Sequence, residues 1–60
     1  MKAYTFKDLV IKLSEVRSKE NLEALCIDID YSYQRDRITY KDNETLYNII
    51  NNVVKREYID

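Results

Sequence analysis

The sequence predicts a small α+β fold, a helix-hairpin-helix domain in which a two-stranded antiparallel sheet packs on two helices. Near both ends of the chain, apolar residues recur every three or four positions, as on the buried face of a helix. In the middle they alternate with polar residues, which is typical of a strand with one buried face. A chain of 60 residues has room for a single core, so residues 1–60 are predicted to form one domain.

The first helix is predicted to begin at Phe6 and to end near Ser18. Thr5 precedes it as a capping residue, and Asp8 takes the position where a capping box usually has Glu. The apolar stripe that follows consists of Phe6, Leu9, Val10, Leu13 and Val16. Ile11 falls outside this stripe, so we expect it to be exposed.

The middle of the chain is predicted to be a β-hairpin. Every second residue of the first strand is apolar, namely Leu25, Ile27, Ile29, Tyr31 and Tyr33. The alternation resumes in a return strand with Ile38 and Tyr40, and residues 34–37 form the loop between the two strands. An even number of loop residues keeps both apolar sets on one face of the sheet, and this four-residue loop meets that condition.

The second helix is predicted to run from about Glu44 to Tyr58, with Asp42 or Asn43 as its cap. Its apolar arc covers about 180°, which is wider than one small core needs. We expect a second copy of the chain to cover this extra width in a homodimer. The predicted core contains Leu9, Leu13, Ile27, Ile29, Tyr31, Ile38, Leu46, Ile49, Ile50 and Val53.

Residues suited to catalysis are scarce in this chain. Histidine is absent, so the usual general base near neutral pH and the commonest transition-metal ligand are both missing. Cys26 is the single cysteine, and we expect it to pack rather than react. Asp28 and Asp30 would share one strand face and could hold Mg²⁺. Lys41 would lie opposite Asp30, or opposite Asp28 in the register shifted by two, so pairing of acid with base across the strands accounts for the charge. The sequence therefore predicts no enzyme, no cofactor and no metal, with a metal-dependent enzyme as the third alternative.

Charge and hydropathy exclude further classes of function. The formal net charge is −1 with both signs interspersed, so the chain lacks the basic field that nonspecific nucleic-acid binders use. No apolar segment resembles the core of a signal peptide or approaches the roughly 20 residues that span a bilayer. We expect a cytoplasmic protein, and the single cysteine favours such a reducing compartment.

The predicted hairpin interleaves aromatic and basic residues, as proteins that bind single-stranded nucleic acid often do. The strand alternation places Tyr31, Tyr33 and Tyr40 on the apolar face, however, and Arg37 and Lys41 on the opposite face. A nucleic-acid-binding regulator is therefore the alternative function rather than the leading one.

The composition as a whole is also informative, because the chain is rich in Lys, Asn, Ile and Tyr and lacks Gly, Pro, His and Trp. In this respect it resembles small accessory proteins of phages and mobile elements in low-GC Gram-positive bacteria, including small anti-CRISPR proteins. The resemblance implies a non-enzymatic inhibitor that binds a host protein or nucleoprotein complex, such as a defence nuclease, a polymerase or a repair enzyme.

The predicted partner-binding surface joins the second helix to the end of the hairpin. Tyr47 and Tyr58 border the apolar arc of this helix, and Asn51 belongs to its uncharged polar face. Arg35 and Arg37 lie in the predicted hairpin loop. Tyrosine and arginine are enriched at protein interfaces and often supply most of the binding energy.

Overall fold

In the computed structural model, which describes residues 2–54 and for residues 53 and 54 the backbone alone, all regular structure is helical. A π-helical segment continues the third of three α-helices without a break. The elements are α1 (Phe6–Ser14), α2 (Lys19–Gln34), α3 (Tyr40–Ile49) and the π-helical segment Ile50–Val54. The predicted α+β fold is therefore wrong, because no strand occurs among residues 2–54.

The residues of the predicted first strand lie inside α2. Its buried residues follow the spacing of a helix face rather than the alternation of apolar and polar residues that predicted a strand. Ser18 caps this helix, and its side chain accepts a hydrogen bond from the Asn21 amide at 3.1 Å. The buried residues of α2 are Leu22, Leu25, Ile29 and Ser32, a spacing of three or four that defines one helix face. Ile27 belongs to the predicted strand face, yet it is 56% exposed, because residues two apart in a helix differ by about 200°.

Elementary energetics favour this helix over a hairpin. An isolated two-stranded hairpin is marginal in water, and it depends on a tight turn. The chain contains no glycine and no proline, the residues that most tight turns use. A 16-residue helix instead satisfies most of its backbone hydrogen bonds within itself and needs only its two ends capped.

The predicted start of α1 is confirmed, but its predicted end is four residues too late. Thr5 is the N-cap and accepts a hydrogen bond from the Asp8 amide at 3.3 Å. Ile11 is exposed, as expected. The helix ends at Ser14, where the Arg17 guanidinium donates to the Ser14 carbonyl at 3.1 Å and so satisfies a terminal acceptor.

The turn between α2 and α3 replaces the predicted hairpin loop. The Arg37 amide donates to the Ser32 carbonyl at 2.9 Å, and the Asp36 amide donates to the Tyr33 carbonyl at 3.1 Å. These two bonds form a Schellman motif, in which Asp36 takes the left-handed position with φ 60°. Ile38, predicted in a return strand, is buried in the connection that follows.

The start of α3 also differs from the prediction, since its cap is Thr39 rather than Asp42 or Asn43. The Thr39 hydroxyl accepts from the Asp42 amide at 3.1 Å, and the Asp42 carboxylate accepts from the Thr39 amide at 3.3 Å. This reciprocal capping box starts the helix at Tyr40, four residues before the predicted start. The predicted residues of this helix beyond Val54 lie outside the described part of the chain.

The core contains half of the predicted set. The predicted residues that are buried are Leu9, Ile29, Ile38, Leu46 and Ile50. Ile27 and Ile49 are exposed, Leu13 and Tyr31 are half-buried, and the Val53 side chain lies outside the description. The remaining buried apolar residues, which the predicted core omits, are Val16, Leu22 and Leu25. Val16 lies in the connection between α1 and α2, and Leu22 and Leu25 lie on the buried face of α2.

One buried hydroxyl joins the segment before α1 to α2. Ser32 is 0% exposed, accepts a hydrogen bond from the Tyr4 amide at 2.8 Å and donates to the Asp28 carbonyl at 2.7 Å. The Lys12 ammonium lies 4.6 Å from the centre of the Tyr4 ring and 3.7 Å from the Asp28 carboxylate. These contacts fix α1 against α2. Within the described residues, no helix has both the length and the apolar character needed to cross a membrane.

Candidate functional site

The main candidate site is an apolar groove between α2 and the end of α3, with a volume of about 500 Å³. Its lining residues are Leu22, Glu23, Cys26, Ile27, Tyr47, Ile50 and Asn51. Leu22 and Ile50 are buried core residues, so side chains of the hydrophobic core form the base of the groove. Ile27 forms an exposed wall. The groove therefore offers apolar surface to an incoming side chain without any rearrangement of the core.

Tyr47 holds one side of this groove in place through its hydroxyl. The hydroxyl donates to a carboxylate oxygen of Asp30 at 2.8 Å and lies 3.2 Å from the Cys26 carbonyl. Burial, together with the hydrogen bond to Asp30, raises the pKa of the Tyr47 phenol above its ordinary value. The ring is thus fixed across the gap between α3 and α2, as an anchor residue of an interface would be.

The π-helical segment continues the side of the groove on which Tyr47 lies. Such segments shift the register of a helix and occur frequently at functional sites. Ile50, its first residue, points into the core, and Asn51 lines the groove beside Tyr47. The described chain thus presents an amide and a phenol together on one wall.

Two of the predicted partner-binding residues, Tyr47 and Asn51, are brought together by the structure. Arg35 and Arg37 are exposed around the α2–α3 turn and line neither the groove nor the depression beside it. Tyr58 lies outside the described residues. The structure therefore brings Tyr47 and Asn51 to one groove and places Arg35 and Arg37 elsewhere. That these residues bind a partner stays a prediction.

Sequence reasoning missed the α2 wall of the groove, which consists of Glu23, Cys26 and Ile27. The signal that could have identified it is the spacing of Leu22, Leu25 and Ile29, because that buried stripe leaves Ile27 on the outer surface of a helix. Ile27 also lines a second, shallower depression of about 230 Å³ next to the groove. The two concavities adjoin at Ile27, and the depression is otherwise lined by Asp30, Tyr31 and Gln34 of α2.

Aromatic and basic residues meet at the end of α2, in a second surface. The Tyr33 and Tyr40 rings lie 6.2 Å apart, and Tyr40 is 64% exposed. The Arg35 guanidinium lies 5.4 Å from the centre of the Tyr31 ring, and its Nε donates to the Tyr31 hydroxyl at 3.1 Å. The separation of aromatic and basic faces predicted from the strand alternation is therefore wrong.

The two carboxylates considered for a metal site point to different neighbours. Asp28 pairs with Lys12 of α1, and Asp30 accepts the hydrogen bond from Tyr47 of α3. The predicted pairing of these acids with Lys41 is wrong, because it required the sheet. Among residues 2–54, no cluster of three or more metal-ligating side chains is present.

The charges around the groove have one sign. Glu23 lines the groove, and Asp30 lines the adjoining depression. None of the described lysines or arginines lines either concavity.

No protein-family model, no curated protein and no solved structure matches this chain.

Proposed function

We propose that this chain is a small non-enzymatic binding protein that acts in the cytoplasm by occupying a surface of a host macromolecule, such as a defence nuclease. The observation that carries the proposal is the open apolar groove, in which Ile27 is 56% exposed. Concave apolar surface with a few convergent polar groups is the usual form of a binding site. Covering it with a partner removes apolar surface from water, which stabilises the complex.

The residue types around the groove support binding rather than catalysis. The phenol of Tyr47 is engaged with Asp30 and Cys26, and burial together with the hydrogen bond to Asp30 raises its pKa further from neutral pH. The whole chain lacks histidine, which catalysis near neutral pH most often uses as general base. A fixed aromatic ring beside an exposed aliphatic side chain is instead the composition of an interface anchor.

The proposal is tested by capture from extracts of low-GC Gram-positive bacteria with a tagged full-length chain and two matched variants. Ile27→Ser removes the aliphatic wall of the groove, and Ile11→Ser makes the same change on exposed α1 surface. Both isoleucines are exposed, so both variants should fold. We expect one protein to be retained by the wild type and by Ile11→Ser and to be at least about tenfold depleted with Ile27→Ser, equivalent to about 1.4 kcal/mol.

Capture of the same protein by Ile27→Ser at wild-type yield would place the binding surface elsewhere. Retention of no specific protein by the wild type would contradict the proposal itself. Circular dichroism of the three chains provides the control for folding, because all three should have the same helical signal.

A second candidate, a nucleic-acid-binding regulator, is favoured by the aromatic and basic surface at the end of α2. Exposed tyrosines provide stacking platforms for single-stranded bases, and arginine contacts phosphate. The exposed Tyr33–Tyr40 pair and the stacked Arg35 supply both elements. Affinity for single-stranded DNA or RNA should then fall steeply with salt, and Arg37→Ala should reduce the slope of log K against log salt by about one unit.

A further inference from the structure

We infer that the groove between α2 and α3 receives an amphipathic α-helix of a partner protein, one with lysine or arginine beside its apolar stripe. This inference rests on the proposed function, since it names the chemistry of the segment that the groove binds. It also predicts which side chains of this chain discriminate between partners: Ile27 for the apolar contact and Glu23 for the charge.

The shape of the groove favours a helix as its occupant. Its walls are two helices, and its base carries Leu22 and Ile50 as buried apolar residues. A helix docks in such a groove by placing an apolar stripe at positions i, i+3, i+4 and i+7 against it. An extended segment would bind by adding to the open edge of a sheet, and residues 2–54 offer no strand for it to join.

The groove and the depression together are long enough for more than one turn of the partner, with the apolar contact concentrated at Ile27. The groove of about 500 Å³ and the depression of about 230 Å³ share Ile27 and follow α2 from Leu22 to Gln34. These two residues are 12 positions apart, which corresponds to a distance of about 18 Å along a helix at 1.5 Å per residue. About three turns of a partner helix span that distance.

The charged residues that line the two concavities specify the flanking residues of the occupant. Glu23 lines the groove and Asp30 lines the depression, and both are acidic. Glu23 forms no ion pair within 4 Å with the basic residues that the structure describes. A partner with lysine or arginine beside its stripe gains attraction to both carboxylates, whereas an acidic partner or a nucleic-acid phosphate is repelled.

The experiment uses two fluorescent probe peptides of about 14 residues with the same leucine stripe on an alanine helix. One probe has lysine at every flanking position, and the other has glutamate. Their binding to the full-length chain is measured by fluorescence anisotropy at salt concentrations from about 0.05 M to about 0.5 M. The chain is tested as wild type and as the variants Ile27→Ser, Ile11→Ser, Glu23→Gln and Glu23→Lys, each checked for helical content.

We expect the lysine probe to bind about tenfold more tightly than the glutamate probe at low salt, with the ratio falling as salt screens the charges. Glu23→Gln should reduce that ratio, and Glu23→Lys should reduce it further. Ile27→Ser should weaken binding of the lysine probe by at least about fivefold, and Ile11→Ser should leave it unchanged.

Equal affinities for the two probes, or binding of neither, would overturn the inference. Two results would assign the groove to a different occupant and overturn it as well. Binding of the lysine probe only after Tyr58→Ser would indicate that the chain's own C-terminal residues occupy the groove. A dimer in light scattering that excludes the probe and dissociates in Ile27→Ser would indicate a second copy.

Failure of this inference and failure of the proposed function give different results. If capture from the extract depends on Ile27 while the probes show no charge preference, the groove binds a partner of other chemistry. If neither capture nor probe binding depends on Ile27, the groove is not the binding site and both conclusions fall.

Discussion

Replacing Ser32 by alanine tests whether the structure correctly places the segment before α1. The Ser32 hydroxyl is fully buried and accepts a hydrogen bond from the Tyr4 amide at 2.8 Å. In Ser32→Ala the partly buried Tyr4 amide loses its acceptor, which costs about 1–3 kcal/mol. The Asp28 carbonyl, to which the hydroxyl donates at 2.7 Å, retains the regular helical hydrogen bond from the residue 32 amide.

A smaller favourable effect opposes this loss. Alanine is a better helix former than serine by about 0.5 kcal/mol. The net loss of unfolding free energy should therefore be about 1.5 kcal/mol, within a range of about 0.5–2.5 kcal/mol. In a domain of this size, a loss of about 1.5 kcal/mol lowers Tm by roughly 6–12 °C.

The chain offers a matched control in Ser14→Ala. The Ser14 hydroxyl also donates to a carbonyl of its own helix, that of Ile11 at 2.6 Å, but Ser14 is exposed. This control should change the unfolding free energy by less than about 0.5 kcal/mol.

The assays are chemical denaturation and hydrogen exchange of the Tyr4 amide. Exchange at Tyr4 should accelerate in Ser32→Ala and stay unchanged in Ser14→Ala. If the two variants have the same stability and Tyr4 exchanges equally in both, the hydrogen bond between Ser32 and the Tyr4 amide does not fix the N-terminal segment.

Three further predictions concern α2, its C-terminal cap and Tyr47. Ile29→Ala should lower the unfolding free energy by about 2–5 kcal/mol, and Ile27→Ala by less than about 0.5 kcal/mol, in chemical denaturation. Similar losses for both variants would indicate that both side chains are buried, as the predicted strand requires. Asp36→Gly should stabilise the chain by about 0.5–1 kcal/mol, because glycine adopts φ 60° without a Cβ clash. A lower denaturation midpoint, with the denaturant dependence of the unfolding free energy unchanged, would contradict the left-handed conformation at Asp36. The raised pKa of Tyr47 implies stabilisation that is fully present below the unfolded-state pKa of about 10 and is lost as pH rises through the higher folded-state pKa. The stability difference between wild type and Tyr47→Phe should therefore shrink between about pH 9 and about pH 11, and a constant difference would refute the hydrogen-bonded phenol.

The sequence predicted the fold correctly where the residues of a single helix were enough to identify that helix. Thr5 and Asp8 correctly predict the start of α1, because an N-cap involves only four consecutive residues. The exposure of Ile11 follows from the same helical period. Leu46 and Ile50 were assigned to the core correctly because the α3 region has a clear helical stripe.

The central segment could not be assigned in this way, because its pattern fits two periods. Leu25 and Ile29 belong both to the alternation and to a helical stripe, so these two residues do not discriminate between the structures. Leu22 and the cap at Ser18 decide for the helix, and both precede the predicted strand. The left-handed cap at Asp36 has no sequence signal of the usual kind, since glycine is the residue that most often takes this position.

Two of the residues predicted to bind a partner, Tyr47 and Asn51, line the groove together because both the prediction and the structure place them on a helix or its π-helical continuation. Ile27 was assigned to the core because in a strand it shares a face with Ile29. In the helix the two side chains point in nearly opposite directions, so Ile27 lines the groove and Ile29 is buried.

The change of period also changes which aromatic and charged residues share a surface. In a strand Tyr31 and Tyr33 would lie side by side, whereas α2 separates them by about 200°. Tyr31 then pairs with Arg35 one turn later, and Tyr33 contacts Tyr40 across the turn. The Asp30 carboxylate accepts a hydrogen bond from the Tyr47 hydroxyl and does not pair with Lys41 as the strand prediction required. The groove and the aromatic, basic surface thus lie along one helix and adjoin at Tyr31, which lines the depression beside the groove and contacts Arg35. Ile27→Ser changes the groove and Arg37→Ala the basic end, so the two variants test the two functions separately.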